Sequence, residues 1–167
     1  MGQKKQLILL AGPTASGKSR LAVKLAQHLN GEIINADSMQ IYKEFSVLSS
    51  RPSKSDTKKV KHHLYGIFSV KKYFSTGEWL VLAKKKINQC IKKNKIPILV
   101  GGTGLYFKSL TEGLVKIPNI PKRIRKEARL LQKKIGQRKF YQKINKIDPL
   151  IKNKINSNDA QRSIRAY

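Results

Sequence analysis

The sequence predicts an α/β fold: a mostly parallel β-sheet covered by helices on both faces, followed by a basic, all-helical segment. Three observations carry this. Short, continuous apolar runs such as QLILLA (6–11) and IPILV (96–100) suit strands buried on both sides. Apolar residues at helical spacing separate these runs. Beyond Pro118 and Pro121 the strand signals stop and only helical stripes remain.

The first strand is expected at Gln6–Ala11, bounded by lysines and a glycine. Leu21, Ala22, Leu25 and Leu29 then mark one face of a helix that Asn30-Gly31 closes. Glu32–Ala36 reads as the second strand and Leu64–Phe68 as a short third one. Between them, residues 49–61 (SSRPSKSDTKKVK) are polar, rich in Ser and Lys, and read as a loop. Trp79, Leu80, Ala83, Ile87 and Ile91 form a second helical stripe, with lysines on the solvated face. Ile96–Val100 is the fourth strand, ending in Gly101-Gly102 and leading to a helix through Tyr106 and Lys108.

A boundary near Ile117 divides the chain into residues 1–117 and 118–167. In the second part Ile124, Ala128, Leu131 and Ile135 form one stripe; Phe140, Ile144 and Ile147 form another, ended by Asp148-Pro149. Asp159 is placed to cap a last helix of barely two turns, too short to be stable alone.

At 167 residues the chain suits one domain of ordinary size, or one domain and part of another. No apolar run is long enough to span a membrane. The amino-terminal lysines and apolar run mimic a signal peptide, but the run is short and leads into a glycine-rich motif, so a cytoplasmic location is expected. The single cysteine, Cys90, precludes an internal disulfide and a cysteine metal cluster, and its spacing with Ala83 and Ile87 places it in the core. His62 and His63 read as packing and hydrogen-bonding residues.

The net charge of +27 points to a polyanionic partner. AT-rich coding accounts equally well for the bias toward Lys (28 against 8 Arg), Ile and Asn. The distribution adds information: residues 118–167 carry +12, about twice the density of the +15 on residues 1–117.

Gly12-Pro13-Thr14-Ala15-Ser16-Gly17-Lys18-Ser19 matches G-x-x-x-x-G-K-[ST], and it sits between a strand and a helix as the motif requires. The glycines permit a nest of backbone N–H groups aimed at an anion, and the helix N-terminus adds its dipole. Lys18 places a point charge on phosphates, and the Ser19 hydroxyl suits Mg²⁺. The fold class is thus P-loop NTPase-like. At the end of the second strand Asp37 supplies a carboxylate where ligands bind in such sheets.

The segments GPTASGKS, NADSMQIYK, HHLYGI, IPILVGGTGLYFKSL and NDAQRSIRA, in this order, resemble the tRNA dimethylallyltransferase (tRNA isopentenyltransferase) family over residues 7–167. Family members are longer, so the resemblance implies an amino-terminal portion, with further helices and tRNA contacts after Tyr167. It also implies transfer of a dimethylallyl group from its diphosphate to the exocyclic amine of the adenine 3′ to the anticodon. Gly12–Ser19 would hold the diphosphate with Mg²⁺, and Asp37 would be the base, with Thr14 and Lys18 in the catalytic set. Ser38, Met39 and Gln40 would hold the target base and its surroundings, beside Asp37. Thr103, Arg125, Gln161, Arg162, Ser163, Ile164 and Arg165 would contact tRNA. A monomer is expected. One stretch departs from the family: Leu48-Ser49-Ser50-Arg51-Pro52 stands where most members have Gly-Thr-Ala-Lys-Pro.

Two other readings use the same residues. A small P-loop kinase would share the loop and the acid, but would bind ATP tightly beneath an arginine lid and does not account for GGTGLYFK. A truncated, inactive tRNA-binding remnant would keep the basic segment without the chemistry.

Overall fold

The computed structural model describes residues 6–115 and 120–167. The chain divides into two compact units, Met1–Val115 and Lys116–Tyr167. Ile117, where the sequence places the boundary, and Pro118 lie outside the described residues.

The first unit contains strands β1 (Ile8–Ala11), β2 (Gly31–Asn35), β3 (His62–His63) and β4 (Ile96–Gly101). All pair in parallel, in the order β1-β4-β2-β3. Its helices are α1 (Lys18–His28), α2 (Lys54–Lys59), α3 (Thr76–Lys92) and α4 (Gly104–Thr111). Register sets the two faces, because successive side chains of a strand point opposite ways. Ile33 of β2 lies beside Ile98 of β4, and both pack with Val100 against Ala22, Val23 and Ala26 of α1. The next pair, Ile34 and Leu99, faces Trp79, Ala83, Ile87 and Cys90 of α3 and Tyr106 of α4. Helices thus cover both faces, as the apolar runs predict.

Three elements differ from the sequence reading. β1 lies at one edge of the sheet, so alternate side chains are only partly covered, and Leu7 and Leu9 are exposed. The third strand is His62–His63, not Leu64–Phe68. Leu64 and Gly66 have φ of +63° and +58°, left-handed values that break an extended strand. Leu64 is buried in the core, and Phe68 contributes one isolated bridge to Tyr42. The polar stretch 49–61 contains α2. Ser53 accepts from the Asp56 amide, and Asp56 accepts in return from the Ser53 amide and hydroxyl, forming a capping box.

The second unit is helical: α5 (Lys122–Ile135), α6 (Gln137–Ile147), a 3-10 turn at Pro149–Asn153, and α7 (Ala160–Ala166). Gly136, at φ +79°, joins α5 to α6. Phe140, Ile144 and Ile151 form the core, with Leu131, Ile135 and Ile164 packed around it. Ile124 and Ile147 belong to the predicted stripes but are exposed. Asp159 caps α7 by accepting from the Arg162 amide at 2.8 Å. Tertiary contacts then support this short helix: Tyr167 lies against Phe140, and Gln137 donates to the buried Ser163 hydroxyl.

Candidate functional site

The glycine-rich loop runs from the end of β1 into α1. Two of its residues are left-handed: Ala15 at φ +64° and Gly17 at φ +78°, the latter immediately before α1. Such turns direct successive N–H groups to one side, as an anion nest requires. Lys18 folds back, its Nζ donating to the Pro13 carbonyl and, at 3.3 Å, to Ser16 Oγ. Thr14, Ser16 and Ser19 are exposed.

The loop is joined to the rest of the sheet edge through β4. The Gly12 amide donates to the Gly101 carbonyl at 3.3 Å. A Cβ at Gly102 would lie 3.3 Å from the Gly12 carbonyl oxygen and 3.9 Å from Asp37 Oδ2, so the loop and the carboxylate both border this glycine. A Cβ at Gly101 would come within 2.1 Å of the Ala36 carbonyl, a space only glycine fits.

Asp37 is held through its backbone. The Asn35 side chain accepts from the Asp37 amide at 2.8 Å and donates to the Asp37 carbonyl at 2.9 Å. The Asn35 side-chain Nδ2 also donates to the Leu64 carbonyl at 3.0 Å, and Trp79 Nε1 donates to the Asn35 carbonyl at 2.9 Å. Asn35 and Trp79 are fully buried, so the clamp is rigid. Among the described residues the Asp37 carboxylate takes one hydrogen bond, from the Met39 amide at 2.9 Å. Burial raises the Tyr106 hydroxyl pKa to about 12, with smaller contributions from Tyr42 and then Asp37, and burial followed by Asp37 acts in the same direction on Tyr65.

Thr103 precedes α4, but its hydroxyl makes no cap. It accepts from the Ser38 amide at 2.9 Å and approaches the Ser38 hydroxyl at 3.3 Å, joining the ends of β2 and β4. Met39 is exposed, and Gln40 donates to the Ser49 carbonyl at 2.7 Å. The structure therefore gathers Gly12–Ser19, Asp37–Gln40 and Thr103 at the carboxyl edge of one sheet. In the departing stretch, Ser50 is left-handed at φ +50°. Arg51 Nη2 donates to the Lys43 carbonyl at 3.2 Å, and its guanidinium fills the space beside Gly66.

Arg125 and Gln161–Arg165 belong to the second unit. Arg125 is exposed on α5; Gln161, Arg162 and Arg165 are exposed on α7, while Ile164 is half-buried and Ser163 fully buried. Ser163 thus serves the packing of this unit through Gln137.

One cluster escapes the sequence reading. Glu32, His63 and Cys90 come from β2, β3 and α3, and one donor atom from each lies within 4.8 Å of the others. No spacing rule links residues so far apart in the chain. At the carboxyl edge, the role of Asn35 is equally invisible in sequence, although the two capping boxes, Ser53/Asp56 and Ser75/Glu78, have a readable signature.

Residues 40–167 match the family IPP transferase. The tRNA dimethylallyltransferase of Pelagibacter ubique is 59% identical over the whole chain, and that of Rickettsia canadensis 49% identical over 99% of it. These alignments cover 53% and 51% of the relatives, so the chain spans about half their length. Among solved structures, a eukaryotic dimethylallyltransferase acting on tRNA matches 97% of the chain with a TM-score of 0.81 at 28% identity, the match covering 40% of that protein. The full-length tRNA isopentenylpyrophosphate transferase of Bacillus halodurans matches 98% with a TM-score of 0.66 at 33% identity, the match covering 54% of that protein. With the family match extending over most of its length, this chain belongs to the IPP transferase family.

Proposed function

We propose that the chain carries the donor site and catalytic base of a tRNA dimethylallyltransferase. The observation that supports this most is the placement of Asp37: its backbone is fixed by Asn35, and its carboxylate and the Gly12 carbonyl of the phosphate loop both border Gly102. A diphosphate in the Gly12–Ser19 nest, facing Lys18, brings an allylic carbon toward the same edge. The exocyclic N6 nitrogen of the adenine 3′ to the tRNA anticodon attacks that carbon. The carbon–oxygen bond to diphosphate breaks, and the proton leaving the nitrogen passes to Asp37. Ser38, Met39, Gln40 and Thr103 border the base, and Arg125 with Gln161, Arg162 and Arg165 supplies tRNA contacts. The Ser19 hydroxyl at this edge would hold Mg²⁺, which would supply charge neutralisation to the departing diphosphate. The site of action is the cytoplasm; no helix among the described residues is long and apolar enough to cross a membrane.

Purified chain, radiolabelled dimethylallyl diphosphate and unmodified tRNA test the reading. Label enters tRNA without ATP, and Asp37→Asn lowers the single-turnover rate by about 10²–10⁴-fold, the usual cost of losing a general base, while both substrates still bind. Lys18→Ala weakens the diphosphate donor and leaves tRNA affinity unchanged. Phosphoryl transfer from ATP in place of prenyl transfer would establish the kinase reading instead.

A further inference from the structure

The Glu32–His63–Cys90 cluster lies toward the amino-terminal end of β2, away from the phosphate loop. Glu32 Oε2 is 2.6 Å from His63 Nε2 and 3.5 Å from Cys90 Sγ. Glu32 and Cys90 are buried, and His63 is partly buried. The carboxylate and imidazole line a cleft of about 400 Å³, whose other walls include Gln89, Lys61, Lys86 and Lys93.

We propose that Glu32, His63 and Cys90 bind a zinc-class divalent metal ion that ties β2, β3 and α3 together. The donor set combines oxygen, imidazole nitrogen and sulfur, which suits Zn²⁺ or Co²⁺ and disfavours Mg²⁺ and Ca²⁺. Tetrahedral coordination requires about 3.6 Å between the oxygen and sulfur ligands and about 3.3 Å between oxygen and nitrogen. The first separation is already present; the second opens by a small rotation of His63 as the ion replaces their shared proton. The thiol proton is released to solvent, and His63 keeps one proton, on Nδ1. Carboxylate and thiolate cancel the double charge of the ion, so the loaded site adds no net charge among the lysines. The fourth position opens to the cleft and takes water. This inference is independent of the prenyl-transfer reading.

Cobalt titration of the untagged, chelator-treated 167-residue chain tests it. Cys90 is the only cysteine, so a sulfur-to-cobalt charge-transfer band identifies its own ligand. The expected result is such a band saturating at one equivalent, with tetrahedral visible bands, both displaced by Zn²⁺ and not by Mg²⁺. Cys90→Ser removes the charge-transfer band, and Glu32→Gln weakens binding by about tenfold or more, compared at matched circular dichroism. Zinc also raises the thermal midpoint of the wild-type chain and not of Cys90→Ser. Absence of the charge-transfer band in the wild-type chain would overturn the proposal and leave a hydrogen-bonded triad, whatever the variants do.

Discussion

A single methyl group at Gly101 has no place to go. It would sit 2.1 Å from the Ala36 carbonyl carbon and oxygen and 2.6 Å from the Asp37 nitrogen, all of them backbone that cannot swing aside. Gly101→Ala is therefore expected to separate β4 from β2 where Asp37 emerges, with a loss of about 2–4 kcal/mol read from denaturant midpoints. Dimethylallyl-diphosphate binding should fall with it, because Gly101 also accepts from the Gly12 amide. Residues at this scale were unevenly legible. Gly12–Ser19 carries a motif whose spacing states its geometry, and Asp37 stands out at a strand end in a chain with nine acids. The Asn35 clamp and the proximity of Cys90 to Glu32 are products of tertiary folding, which no local pattern encodes.

Among the elements, α2 shows how a polar segment becomes ordered without a buried residue of its own. Its structure rests on reciprocal bonds between Ser53 and Asp56. Ser53→Ala should cost α2 about 1 kcal/mol, seen as faster hydrogen exchange at the Thr57 and Val60 amides. The Ser53 hydroxyl bond, against a burial effect of opposite sign, lowers the Asp56 pKa. A lowered folded-state pKa means that Asp56 contributes stability above its ordinary value near 3.8, and loses it as pH falls through the lower folded value. Exchange at the same amides should accelerate in that acid window in the wild type and change less in Ser53→Ala. The misplaced third strand has a complementary cause. Leu64, Tyr65, Ile67 and Phe68 carry the composition of a strand, but left-handed backbone at Leu64 and Gly66 leaves pairing to the two histidines before them.

For the whole molecule, the charge of +27 and its concentration after residue 117 were readable at once, whereas the cause of that charge was not. Salt dependence of tRNA binding separates the possibilities. If the exposed Arg162 and Arg165 neutralise phosphates, each alanine replacement should reduce the slope of log affinity against log salt by about 0.7–0.9, measured by filter binding across a salt series. An unchanged slope would assign both to solvated surface and support the coding-bias account. The second unit folds around Phe140, Ile144 and Ile151, the first two of which lie on a helical stripe readable in the sequence.

The strand order β1-β4-β2-β3 has a temporal meaning. Of these four strands β1 is made first, yet its partner is made last, Ile8 pairing with Ile98 and Ala11 with Gly101. Until β4 has been made, β1 has no neighbour in this sheet and Gly12 has no Gly101 carbonyl to hold it. Closing so long a loop is slow, since its entropy is lost before any contact compensates. The phosphate loop is thus made before the strand that gives it its shape. A nascent chain cannot hold a diphosphate there before β4 has joined β1.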